Sequence, residues 1–245
     1  MSTTALSARV LFDEGRLDEA IQALGAGLRE DPTDVRRRTF LFELLCFAGE
    51  LDRAEKQLDV VARGGREAEL GAWLYRSALH ADRVRQEMFA AGSSPAAGAA
   101  PPVSGTLNGR PFSTLTDADP RLGARLEVFA AGQYTWIPFA QLASVTMEAP
   151  RTLRDTLWAP ARVQATPAFQ GGELGEVLLP ALAPLSWRHP EGEVRLGRVT
   201  DWDEGADGGE PLPVGQKLLL VDGEPVSFLE VRALEVAPAA AAEAV

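Results

Sequence analysis

Two hexamers, G-R-L-D-E-A at residues 15–20 and G-E-L-D-R-A at 49–54, recur with a 34-residue offset and constrain this chain more than any other feature. Each opens an apolar series with helical spacing: Leu17, Ala20, Ile21, Leu24 and Leu28 in the first copy, and Leu51, Ala54, Leu58 and Val61 in the second. Intervals of three and four residues place these side chains on one stripe of a helix, which must pack against something. The glycine ends the preceding helix, the acidic residue favours the exposed amides of the next one, and the small alanine lets two helices approach closely.

The segment D-P-T-D at 31–34 adds a proline after the second helix of the unit. A 34-residue period with a glycine turn, a small alanine and this proline resembles the tetratricopeptide repeat. Residues 5–89 hold a single proline, Pro32, and are rich in good helix formers. The second copy departs from the pattern, with Arg66 where a proline would fall. The third stretch, E-L-G-A-W-L-Y-R-S-A-L-H-A-D-R-V-R-Q-E-M-F, has no partner helix after it, and is read as a long closing helix that caps the stack. Residues 1–90 are thus expected to form a helical domain.

Residues 91–105, A-G-S-S-P-A-A-G-A-A-P-P-V-S-G, have too little apolar area to offset conformational entropy and read as a flexible linker. From 106 to 238 short runs rich in Val, Leu, Trp and Phe are broken by Gly, Pro and Asp-Gly, which predicts a mainly β domain. Short helices are expected near Thr114–Asp119 and Leu153–Leu157, and residues 239–245 are read as a disordered tail. The stretches F-A-Q-L-A-S-V-T-M (139–147) and F-L-E-V-R-A-L-E-V (228–236) share apolar first, fourth, seventh and ninth places, and each follows a strand and a glycine turn, at Gly132 and Gly223. That likeness reads as a duplicated β unit in which one helical turn leads into a final strand. The fold class is therefore α+β and multidomain, a tetratricopeptide-like helical domain followed by a mainly β domain.

The net charge of -11 counts against nonspecific binding to nucleic acid or anionic lipid. Residues 1–90 carry 13 Lys+Arg against 16 Asp+Glu and the remainder 11 against 19, so the helical half is the better suited to an acidic partner. Cys46 is the sole cysteine, which excludes an intrachain disulfide and a cysteine-rich metal site. The N-terminus has no basic region followed by an apolar core, and no run approaches the roughly 20 apolar residues of a membrane span. A cytoplasmic location is expected.

No catalytic, cofactor or metal constellation emerges. The two histidines, His80 and His189, cannot build a multi-histidine site, and Cys46 lies among Phe40, Leu41, Leu44, Leu45 and Phe47, where a cysteine behaves as a small apolar residue. The glycine pairs in G-G-E-L-G-E (171–176) and D-G-G-E (207–210) lack the lysine of a nucleotide loop and read as turns. Asp201, Asp203 and Glu204 around Trp202 read as a solvated acidic loop. Arg36, Arg37 and Arg38 point to different faces of a helix start.

What remains is a short helical stack, a shape that accepts a helix or an extended peptide. Arg36, Phe40, Glu43 and Phe47, with Trp73 on the closing helix, are the candidate peptide-binding residues. Because Phe40, Phe42, Glu43 and Phe47 span two helical turns, some of them must lie at the surface or against the β half.

The stretch R-R-R-T-F-L-F-E-L-L-C-F-A-G-E-L-D-R-A-E-K-Q-L-D (36–59) strongly resembles the ImpE/TagJ family, also called SciE-type. The resemblance continues, in order, at R-L-E-V-F-A-A-G-Q-Y-T-W-I-P-F, L-R-D-T-L-W-A-P-A-R-V, G-E-V-L-L-P and L-G-R-V-T-D-W. It implies a cytoplasmic, non-enzymatic accessory protein of type VI secretion. The implied partner is a helix of the small, TssB-like sheath subunit, and indirectly a ClpV-type unfoldase, with a role in sheath assembly or turnover. The alternative reading is a hydrolase or small-ligand protein with a site between the halves, around Trp158, Trp187 and Trp202. A protein held together only by its own oligomer is a third.

Overall fold

The computed structural model describes residues 3–93, 101–170, 174–204 and 210–238. Residues 94–100 of the expected linker, parts of the expected glycine turns (171–173 and 207–209, with 205–206 before the second), and the expected tail at 239–245 lie outside the described residues.

Helices α1 (Thr3–Asp13), α2 (Leu17–Glu30), α3 (Val35–Phe47), α4 (Leu51–Val61) and α5 (Arg66–Ala90) come first. The repeated glycines do the same work in both copies. Gly15 and Gly49 have φ of 74° and 71°, a left-handed conformation that glycine adopts without strain. After α1 the Arg16 amide donates to the Leu11 carbonyl at 2.8 Å, and after α3 the Glu50 amide donates to the Leu45 carbonyl at 2.9 Å. These long back-bonds close the last turn of each helix and reverse the chain. Ala20 and Ala54 are fully buried, as close helix packing requires.

Between the repeats, Asp31 accepts from the Thr33 amide and Asp34 caps α3 through the Arg37 amide at 2.9 Å. The three arginines diverge as their spacing predicts. Arg36 is exposed, Arg37 turns inward to donate to the Gly27 carbonyl at 2.7 Å, and Arg38 reaches Gln57 on α4 at 2.8 Å. Gly27 makes the Arg37 bond possible, since a Cβ there would lie 2.6 Å from the guanidinium. The closing helix is α5, whose buried residues concentrate in its second half, from Ala78 to Phe89.

The β half contains β1 (Gly105–Leu107), β2 (Arg110–Phe112), β3 (Leu115–Asp117), β4 (Arg125–Ala130), β5 (Gln133–Pro138), β6 (Leu142–Met147), β7 (Trp158–Ala165) and β8 (Gly175–Pro180). A one-turn helix α6 (Gly192–Arg195) precedes β9 (Thr200–Asp203), β10 (Leu212–Gly215), β11 (Leu218–Val221), β12 (Glu224–Ser227) and β13 (Ala233–Val236). An eight-stranded antiparallel sheet runs β2-β1-β13-β6-β7-β8-β4-β5, beside a three-stranded sheet β12-β11-β3 and a hairpin of β9 and β10.

The expected short helix at Leu153 is present as a 3-10 turn over Leu153–Thr156, closed by reciprocal bonds between Thr152 and Asp155. The other expected short helix, near Thr114–Asp119, is not: Leu115–Asp117 is strand β3, paired with β11 at Leu219↔Asp117 and Val221↔Leu115. The turn chemistry of D-A-D-P-R-L starts at the end of that strand, where Asp117 accepts from the Asp119 amide and Asp119 from the Arg121 amide, each at 2.9 Å. Likewise, only the end of L-G-R-V-T-D-W is strand, because Leu196 closes α6 and β9 begins at Thr200.

The internal likeness has a structural counterpart. Hairpin β4–β5, a 3-10 turn at Phe139–Gln141 and β6 correspond to hairpin β11–β12, a 3-10 turn at Phe228–Glu230 and β13. Both hairpins turn through two residues of positive φ, Ala131-Gly132 and Asp222-Gly223, which matches the twist of the flanking strands. Phe139 and Phe228, the first residues of the two turns, are both buried. The last strands of the two copies, β6 and β13, pair antiparallel with Leu234 opposite Val145.

Two cores result. One lies between the large and small sheets and includes Val128, Ile137, Phe139, Leu179, Leu219 and Phe228. The other is helical, but it also takes in Phe129, Leu157, Trp158, Leu182 and Leu196 from the β half. The helical half therefore does not have a core of its own.

Candidate functional site

The helical half meets the β half through α3, α5, the end of α1 and the turns that open α2 and α4. On α3, Glu43 meets Arg154 at 3.4 Å, and the Arg154 guanidinium lies 4.7 Å from the centre of the Tyr75 ring, which stacks on Trp158 at 6.3 Å. Burial raises the Glu43 carboxyl, and Arg154 opposes that rise. Each repeat turn is also gripped. A Cβ on Gly49 would meet the Trp187 indole at 2.5 Å, and one on Gly15 would collide with Glu193. Arg198 donates to the Phe12 and Asp13 carbonyls at 2.6 and 3.0 Å, and Arg195 forms a two-point pair with Asp18 at 2.9 and 3.0 Å. The β half thus packs on α3 and on both repeat turns.

At the centre of this contact is a buried ionic network. Arg85 on α5 donates to both Glu127 oxygens at 2.7 and 2.9 Å and to the Leu182 carbonyl at 2.9 Å. Lys217 pairs with Glu127 and with Asp117, the latter at 2.8 Å, and the Tyr134 hydroxyl donates to Glu127 at 2.5 Å. Asp82 accepts from Gln86 at 3.0 Å and from the Trp158 indole at 3.3 Å. Burial opposes ionisation of Glu127, but Arg85 and Lys217 outweigh it and hold the carboxyl at about 2. Asp117 goes the other way, to about 6, because burial exceeds the attraction of Lys217. Burial raises Asp82 as well. Buried and ion-paired, the network ties the two halves together through Arg85.

The candidate peptide-binding residues are scattered over this framework. Phe47 is 1% exposed and belongs to the core, so it cannot line an open groove. Phe40 is half-buried against Phe12 at 5.4 Å, and Glu43 is engaged by Arg154. Arg36 is exposed near the start of α3, whereas Trp73, 65% exposed, stands on α5. The structure does not bring these five together. Trp73 alone lies in a sizeable concavity, a groove of about 590 Å³ between α5 and strands β4, β7 and β8.

The three tryptophans of the alternative reading are likewise separated. Trp158 and Trp187 share a cavity of about 20 Å³ between the halves, while Trp202 is half exposed on β9. That cavity admits about one water, whereas the groove beside Trp73, which Trp158 also lines, exceeds the roughly 300 Å³ of a typical small-ligand site. Cys46 borders it with its thiol pushed well up by burial and by Asp82 and Glu43. His80 is exposed, and His189 faces Asp201 at 3.4 Å. Among the described residues there is no group of three or more His, Cys, Asp or Glu placed to hold a metal, and no helix long and apolar enough to cross a membrane.

The network residues Arg85, Asp117, Glu127 and Lys217 escaped sequence reasoning. The available signal was a lone carboxylate within the apolar strand R-L-E-V-F-A, a position that demands a buried cation.

Comparison with known proteins agrees with this architecture. A tetratricopeptide repeat family model matches residues 11–72, and the ImpE protein family model matches residues 109–235. The chain is 34% identical, over 268 aligned positions covering 96% of this chain and 92% of the relative, to the type VI secretion system accessory component TagJ of Pseudomonas aeruginosa. The crystal structure of protein VPA1032 from Vibrio parahaemolyticus superposes with a TM-score of 0.81 at 23% identity, covering 94% of this chain and 97% of that one, and so shares the fold. With its β half matched by the ImpE model and nearly its whole length aligned to a TagJ protein, the chain belongs to the ImpE/TagJ family.

Proposed function

We propose that this protein is a non-enzymatic accessory component of a type VI secretion system, acting in the cytoplasm as an adaptor that binds a helix of the small, TssB-like sheath subunit. Through that subunit it assists sheath assembly or its turnover by a ClpV-type unfoldase. The observation that carries this reading is the end-to-end likeness to the TagJ accessory component at 34% identity. The helical stack supports it, since such folds recognise peptides and helices.

Because the helical half shares its core with Phe129, Leu157 and Trp158, the binding test uses the full chain. The sheath subunit's N-terminal helix, made as a labelled peptide, is titrated with the protein and followed by fluorescence anisotropy. Saturable binding that a scrambled peptide does not show is expected. Absence of binding both to the peptide and to the intact sheath subunit overturns the proposal.

A further inference from the structure

We propose that the groove beside Trp73 is the docking site for an amphipathic helix whose apolar stripe is flanked by Lys or Arg. The proposal rests on the adaptor reading for the helical nature of the partner, and it moves the site from the helical stack alone to the joint between the two halves.

The groove lies where the first half of α5 stands off the sheet. Its second half is buried against the sheet, whereas along its first half Leu70, Trp73 and Leu74 are exposed by 63%, 65% and 44%, with Trp73 and Leu74 lining the groove and Leu70 one turn beyond them. Spacings of three and four residues put these side chains on one stripe, the geometry by which one helix receives another. An exposed stripe of large apolar residues is costly in water and marks an interaction surface. Tryptophan is also among the residues that most often dominate binding energy.

Opposite the stripe, the groove is floored by Phe129 and Leu178, the pair at which β4 and β8 meet. Pro160 of β7 lines it too. A helix about 10 Å across, sunk to half its depth, would fill 590 Å³ over roughly 15 Å, or about ten residues. That is two to three turns, enough for anchors at i, i+3, i+4 and i+7.

The charge around the groove selects the occupant. The ionisable side chains lining it are Asp155, Glu176 and Tyr75, with no Lys, Arg or His among the lining residues, although Arg162 pairs with Glu176 at 3.2 Å and the Arg154 guanidinium lies 4.7 Å from the Tyr75 ring. In the first turn of α5, Glu67 and Glu69 outweigh Arg66, and the protein as a whole carries -11. A helix with acidic flanks would be repelled, whereas one with basic flanks would be attracted and oriented. This reverses the expectation, drawn from segment charge alone, of an acidic partner for the helical half.

The test uses the full chain and two synthetic helical peptides of about 14 residues, identical in their leucine stripe but flanked by Lys in one and by Glu in the other. Anisotropy titrations at physiological salt compare the wild type with the double variant Leu70→Ser, Trp73→Ser. Both positions are exposed and the net charge is unchanged, so nonspecific attraction to an acidic protein survives the substitution; a thermal melt verifies the fold. The expected result is binding of the Lys-flanked peptide, weakened at least about tenfold in the double variant and at least about tenfold for the Glu-flanked peptide.

Binding of the Lys-flanked peptide that ignores the double substitution, or equal binding of the Glu-flanked peptide, overturns the proposal. So does a self-association of the wild type that the double substitution abolishes, since the occupant would then be a second copy of this chain. The sheath-subunit helix separates the two readings. If it binds wild type and double variant equally, the groove is refuted and the adaptor role stands. If the Lys-flanked peptide occupies the groove but the sheath helix binds nowhere, the adaptor role falls and the groove stands.

Discussion

Arg85 and Glu127, 42 residues apart in sequence and on opposite sides of the junction between the halves, meet through two hydrogen bonds of 2.7 and 2.9 Å with both side chains almost wholly removed from solvent. A pair this deeply buried is costly to break from one side. Substitution Arg85→Met leaves Glu127 with only Lys217 as counter-charge and is expected to lower stability by about 3–5 kcal/mol. Urea unfolding, followed by circular dichroism for the helices and by tryptophan emission for the interface, measures the loss. Coincident transitions by the two probes are expected from the shared core.

Gly49→Ala places a methyl group against the Trp187 ring at a backbone φ of 71°. The combined strain and overpacking are expected to cost about 2–4 kcal/mol. A double-mutant cycle with Trp187→Leu separates the two contributions: relief of the clash shows as a coupling of about 1 kcal/mol or more, and strict additivity would mean that the indole does not constrain the turn.

The pH dependence follows from opposite shifts at Asp117 and Glu127. Asp117, raised to about 6, holds a proton in the folded state that the unfolded chain has already released. Its contribution is therefore fully present below the unfolded value near 4 and is lost as pH rises to about 6. Glu127, lowered to about 2, contributes above its unfolded value near 4.5 and loses that contribution as pH falls toward 2. Stability of the Asp117→Asn variant, compared with wild type in urea titrations between about pH 4 and 6, is expected to show a flatter dependence. Identical slopes would rule out Asp117 as the titrating group.

Cys46 should be chemically silent in the native protein. It is buried, and its thiol is raised by desolvation and by the carboxylates of Asp82 and Glu43. A chromogenic disulfide reagent is expected to react only as fast as the protein unfolds, and rapid stoichiometric reaction without denaturant would contradict the buried placement.

Features with a short sequence period were legible. The glycine turns, the apolar helix stripes, the capping function of α5, and the two hairpin-turn-strand units all appear where local spacing and turn chemistry predict them. Thr114–Asp119 was misread because its local signals are a turn's, while its strand character comes from pairing with β11 a hundred residues later. Phe47 and Trp73 illustrate the difficulty with the candidate site. Both are aromatic residues in helical patterns, yet one fills the core and the other stands exposed, because the covering surface is supplied by distant strands. The network around Glu127 was hidden for the same reason, its cations lying 42 and 90 residues away.

The position of β13 has a consequence for how the chain is made. This strand sits between β1 and β6 in the large sheet, pairing with both, although it is the last strand in sequence among the described residues. Until it emerges from the ribosome, β1 and β2 have no link to the remaining strands of that sheet, and β6 displays an open edge to other nascent chains. Synthesis at about 5–20 residues per second leaves that edge unprotected for several seconds. Stalling or truncation before Ala233 would thus leave the sheet divided into two strands and five, so that the β half closes only when residues 233–236 have been made.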